Sequence, residues 1–196
     1  MENDFVLAID IKTNGERGEC FWIAAVVFNK KEKKQECFFN AILDVTGVVF
    51  NDGFTSNRIV PYAEKCILLH PDDKRRPEIC ESYYQLRNCF WTFYYKWFKN
   101  SDIITDSPLL GVCNLFNACS DISPRVRESA FTLPLLDISS MLFARKFNPN
   151  VNRQAFIAEA KCSLVPDNYT ERSFDPLSSA LITLSIWNYL MNTTDK

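Results

Sequence analysis

Histidine is nearly absent from this chain: His70 is the only one in 196 residues. The eight cysteines (Cys20, Cys37, Cys66, Cys80, Cys89, Cys113, Cys119 and Cys162) include no pair at the close spacing that structural zinc sites use. A zinc centre is therefore not expected. A strong excess of either charge is missing too. The net charge is −2 and the pI about 5.5, so no global positive field draws the protein onto a phosphate backbone. No run of about eighteen apolar residues occurs; the richest stretch, Ala180 to Met191, is interrupted by Ser185 and Asn188. The opening MENDFVLAID lacks the basic, apolar and small-residue succession of a secretory signal. Together these absences predict a cytoplasmic protein with no membrane span and with reduced, mostly buried thiols.

Aromatic residues are plentiful. Sixteen Phe, seven Tyr and four Trp predict a bulky core, and the length suits one domain over residues 1–196. Phe5 to Ile11, Cys20 to Phe28 and Glu36 to Leu43 are apolar runs separated by turn signals. They read as three strands of an antiparallel meander, with the polar Asn29–Lys34 as a hairpin tip. Residues 59–76 carry no clean period. Pro77 to Lys99 reads as one long helix, with Pro77 in its first turn, Glu78 and Glu81 near its start, and Lys96 and Lys99 near its end. Its aromatic residues lie nearly all round, which predicts a central core helix.

A short strand at Asp102–Thr105, a helix at Leu109–Ala118, and a strand at Leu133–Ile138 running into a helix near Ser139–Arg145 follow. A short helix is expected around Arg153–Lys161, and the last helix opens at Asp175-Pro176 and runs to about Met191. The predicted class is α/β, a mixed sheet whose antiparallel meander continues into parallel strands, flanked by helices.

Three stretches, in order along the chain, carry a resemblance. The first is Ala8-Ile9-Asp10-Ile11-Lys12-Thr13-Asn14-Gly15; the second is Ile104-Thr105-Asp106-Ser107-Pro108-Leu109-Leu110-Gly111; the third is Arg172-Ser173-Phe174-Asp175-Pro176-Leu177-Ser178-Ser179-Ala180-Leu181. They resemble the three motifs of proofreading-type 3′–5′ exonucleases, the DEDD branch of the ribonuclease H-like superfamily. The resemblance implies a ribonuclease H-like mixed sheet. It also implies a site where two divalent ions, held by carboxylates, clamp a phosphate while a histidine or tyrosine takes the proton of the attacking water.

This sequence departs from that pattern at most of the matched positions. Asp10 is kept, but Lys12 stands at the first motif's glutamate, Gly111 at the second motif's aspartate, Phe174 at the histidine and Ser179 at the last aspartate. Residues two apart on a strand share a face, so Lys12 is expected to pair with Asp10 and substitute for the missing cation. A solvated strand-end lysine is the plainer alternative. Asp106, Asp137 and Asp175 are the acids left to rescue metal binding, and each reads better as a turn or cap residue. No catalytic residue, metal ligand or cofactor is expected.

Lys74, Arg75 and Arg76 precede a helix and are the candidate phosphate or partner contacts. Lys30, Lys31, Lys33 and Lys34 read as a solvated hairpin tip. The function these features favour is a catalytically inactive exonuclease-like module that works through a protein partner or self-association, as in a larger, for example viral, assembly. The alternatives are a weak nucleic-acid binder retaining the groove, which needs a basic stripe, and an active nuclease with relocated ligands, which needs acids converging on Asp10.

Overall fold

The computed structural model describes residues 3–15, 18–73, 75–106, 118, 135–166 and 174–193. Its strands are β1 (Phe5–Thr13), β2 (Cys20–Asn29), β3 (Lys34–Leu43), β4 (Glu78–Cys80), β5 (Ser101–Thr105) and β6 (Leu135–Asp137). They form a six-stranded sheet in the order β4-β3-β2-β1-β5-β6. β1, β2 and β3 pair antiparallel as the meander, whereas β5 joins β1, β6 joins β5 and β4 joins β3 in parallel. The mixed sheet expected from the sequence, an antiparallel meander continuing into parallel strands, is the one observed.

Strand alternation gives the sheet two apolar faces, each covered by its own helices. On one face Leu7, Ile9 and Ile11 of β1 meet α1 (Val60–Ile67) and α2 (Tyr83–Trp97). On the other, Val6 and Ala8 lie with α3 (Ile138–Ala144), α4 (Arg153–Glu159) and α5 (Pro176–Asn192). Asp10 and Lys12 continue the second series, so β1 delivers them to the α5 side of the sheet. At the end of β1 the chain reverses through Gly15, whose φ of +80° suits a residue without Cβ. Gly18 is held against the Asn14 carbonyl, where a Cβ would come within 1.8 Å of the oxygen. Asn14 then ties this turn to the chain after β3: it donates to Val49 O at 2.9 Å and accepts from Asn51 N at 2.7 Å.

The long helix predicted from Pro77 begins later. Residues 78–80 add a short edge strand beside β3, and Ser82 is the true N-cap, its hydroxyl accepting from Gln85 N at 3.2 Å. Glu78 thus lies in a strand, outside the helix it was expected to start. Nor is α2 the central core helix. It buries one face through Leu86, Phe90 and Tyr94 and leaves Tyr84 and Tyr95 exposed. The helix buried on nearly every side is α5, where Ser178, Ala180, Thr183 and Ser185 allow close approach to β1 and β2. Residues 55–59 wind as one π-helical turn leading into α1, which lies within the stretch from residue 59 that carries no clean period in the sequence. The expected helix at Leu109–Ala118 lies outside the described residues except Ala118, which is helical and buried. No helix among the described residues is long and apolar enough to cross a membrane.

Candidate functional site

Parallel pairing brings three acids to neighbouring strand ends. Ala8 of β1 stands opposite Ile104 of β5, the last pair of that register; Asp10 lies two residues beyond Ala8, and Asp106 just past the end of β5. Thr105 in turn pairs with Asp137 of β6. Asp175, at the start of α5, comes from the helix layer over this end of the sheet and is fully buried. The acids of the first and third matched stretches and the start of the second are thereby gathered in one region.

Each acid already has a partner within the chain. Lys12 Nζ lies 2.7 Å from Asp10 Oδ2, with the side chains only 17% and 28% exposed respectively, so solvent screens the pair incompletely. The contact is one of charge, because Oδ2 is buried and accepts no well-directed hydrogen bond. Asp106, expected to be a turn or cap residue, is instead the partner of Arg153: Nε donates to both of its oxygens, at 2.8 and 3.0 Å. Burial pushes the Asp106 carboxyl above its ordinary range; the Arg153 charge opposes the rise, and the charges of Asp10 and Asp137 add to it.

Asp137 and Asp175 do act as caps. Asp137 accepts from Ser139 N, Ser140 N and the Ser140 hydroxyl at 3.2, 2.7 and 2.6 Å. Asp175 accepts from Leu177 N at 2.8 Å and the Ser178 hydroxyl at 2.9 Å. Burial raises the Asp175 carboxyl above its ordinary range, while these hydrogen bonds and the Lys12 charge pull the other way.

Phe174 takes no part in proton chemistry. Its ring lies among Phe54 and Tyr62, with centroids 6.0 and 6.3 Å away, and Tyr62 stacks in turn on the buried Trp22. Ser179 lines a pocket with Asp106, Asn152, Arg153, Gln154 and Ile182. At about 170 Å³ it falls short of the ~300 Å³ at which ligand pockets commonly begin. Gly111 and Lys74 lie outside the described residues. Arg75 folds onto Asp73, with Nε and one terminal nitrogen at 3.0 and 2.6 Å from its two oxygens. Arg76 continues the same turn through its backbone N–H to Asp73 O. Lys30 pairs with Asp102 and Lys34 with Glu32, and His70 is an exposed residue beside Asp72.

The residue that sequence reasoning missed is Arg153. It opens α4, where a cation opposes the helix dipole. An arginine in that position needs compensation from elsewhere, and this was the available signal. Four of the thiols are poor candidates for alternative chemistry: burial pushes Cys66 and Cys80 up to about 12 and also raises Cys37 and Cys162, so these four stay protonated and poorly nucleophilic.

No family model matches the chain, and no curated protein matches it in sequence. A solved structure does: the crystal structure of a full-length 3′-exonuclease superposes with a TM-score of 0.58 at 13% identity, covering 97% of this chain and 83% of the other. The fold is exonuclease-like. The motif resemblance in the sequence implies divalent ions bound by carboxylates, and the donors present here do not suit them. Hard cations need uncompensated oxygens, yet Asp10 and Asp106 each face a cation of the chain itself. Among the described residues no three of His, Cys, Asp and Glu are arranged to hold a metal ion.

Proposed function

We propose that this protein is a catalytically inactive exonuclease-like module, one domain over residues 1–196, that acts through contact with a protein partner or with further copies of itself. The observation that carries this reading is the Lys12 ammonium 2.7 Å from Asp10. A fixed cation at that point repels a divalent ion and occupies the carboxylate that would hold it. The aromatic contacts of Phe174 agree with it, since that position supplies no group able to accept a proton. Tyr84 and Tyr95, 63% and 45% exposed on the outer side of α2, suit contact with another protein, where tyrosine is favoured. The ion pairing of Arg75 with Asp73 weakens the case for a phosphate-binding stripe.

The test is incubation of the wild-type protein with labelled single- and double-stranded DNA and RNA in magnesium and in manganese. No shortening of any substrate is expected. Protein-dependent shortening that disappears in Asp10→Ala would restore a nuclease. Light scattering after size exclusion checks self-association, which would appear as a mass above the 22.7 kDa of one chain.

A further inference from the structure

Asp10 lies two residues past Ala8, the last residue of β1 paired with β5, and Asp106 directly follows β5, whose last residue Thr105 pairs with Asp137. Asp106 feels the charges of both Asp10 and Asp137, and Lys12 acts on Asp175 as well. Carboxylates brought this close repel one another, and burial enlarges the penalty. Folding the sheet in this register therefore requires positive charge at the strand ends. Two side chains supply it from different parts of the chain. Lys12 comes from β1 itself and lies against Asp10. Arg153 comes from the start of α4, fastened on several sides: to Asp106 through Nε, to Pro149 O and Val151 O at 2.8 and 3.1 Å through Nη1, and to the Ser139 hydroxyl at 2.7 Å through Nη2. One guanidinium thus joins the end of β5 to α3 and to the loop before α4.

We propose that Lys12 and Arg153 are built-in counter-cations that together hold the strand-end aspartates in register, making the folded state independent of any bound divalent ion. The inference rests on the reading of the site as non-catalytic and adds Arg153 as its second, structurally distinct cation. Each side chain is a positioning residue acting through an aspartate. Removing both charges leaves Asp10 and Asp106 without compensation. A divalent ion can then fill the vacated role, which an uncharged or remote substitution does not create.

The experiment compares thermal unfolding of the wild type, Lys12→Gln/Arg153→Gln and the control Lys30→Gln, which breaks the remote pair with Asp102. Each is measured in chelator, with magnesium or manganese chloride, and with sodium chloride at matched ionic strength. A divalent concentration of about 10 mM exceeds the dissociation constants of even weak calcium sites, ~1 mM. The wild-type and Lys30→Gln midpoints are expected to be the same with divalent ions as with matched sodium chloride.

The double variant should melt lower in chelator, by on the order of 5 °C, and recover about half of that loss with divalent ions but not with sodium chloride. A divalent-specific rise in the wild-type midpoint overturns the inference, and so does a double variant without divalent-specific recovery. Should the double variant fail to fold, Lys12→Gln alone is read in the same way, and absence of divalent-specific recovery there is equally decisive. Failure of this inference leaves the nuclease assay untouched, and cleavage by the wild type would overturn the proposed function whatever the melting curves show.

Discussion

Asp175 combines two demands that usually conflict, because it is fully buried and yet caps a helix. An uncharged side chain of the same shape satisfies both, since asparagine caps as well as aspartate. Asp175→Ala is expected to cost about 1 kcal/mol through the lost cap, measured by urea unfolding. Asp175→Asn should keep the cap and alter the pH dependence. The folded carboxyl titrates above its ordinary 3.8, so the native state holds its proton more tightly than the unfolded chain. Its stabilising contribution is fully present below 3.8 and is lost as pH rises through the folded value. Relative to wild type, Asp175→Asn should therefore gain stability from acid toward neutral pH. Parallel curves for the two proteins would show that the carboxyl is not perturbed.

At this scale the sequence was most informative where a strand's alternation fixes direction. Lys12 had to share a face with Asp10, and it does. Arg153 was hidden because its partner is 47 residues away in sequence, and no local period reports such a contact.

Among the elements, α2 shows how two valid helix-start signals can compete. Pro77 followed by acidic residues suggests one start, and Ser82 followed by Gln85 suggests another. The second is realised: Ser82 Oγ accepts from Gln85 N, while Gln85 Oε1 accepts from Glu81 N at 2.7 Å. Pairing of residues 78–80 with β3 decides the matter, because strand hydrogen bonds there replace the first turn of the longer helix. Ser82→Ala should destabilise the protein by about 1 kcal/mol. Glu78→Ala, at an exposed strand position, should change stability by less than about 0.5 kcal/mol. Chemical denaturation of the two variants distinguishes the starts; a larger loss for Glu78→Ala would favour the longer helix.

The meander was legible because its strands are separated by strong turn signals. α1 was not, because its approach through a π-helical turn breaks the 3.6-residue period. The central helix is α5 and not the aromatic-rich α2. Aromatic content suggested deep burial, whereas small residues along α5 let that helix approach the sheet more closely.

For the molecule as a whole, the fold survives at 13% identity to a solved 3′-exonuclease. Sheet order and face polarity depend on apolar patterning, which tolerates wide substitution. A metal site depends on individual oxygens and has no such tolerance. On the proposed reading the two part company at the Lys12–Asp10 and Arg153–Asp106 pairs. The most direct measurement is titration of manganese into the wild-type protein at neutral pH, with free ion followed by electron paramagnetic resonance. The expected result is a free-ion signal that grows from the first addition as it does in buffer alone. A saturable pool of bound manganese that disappears in Asp10→Ala would contradict the claim that the chain's own cations hold these aspartates.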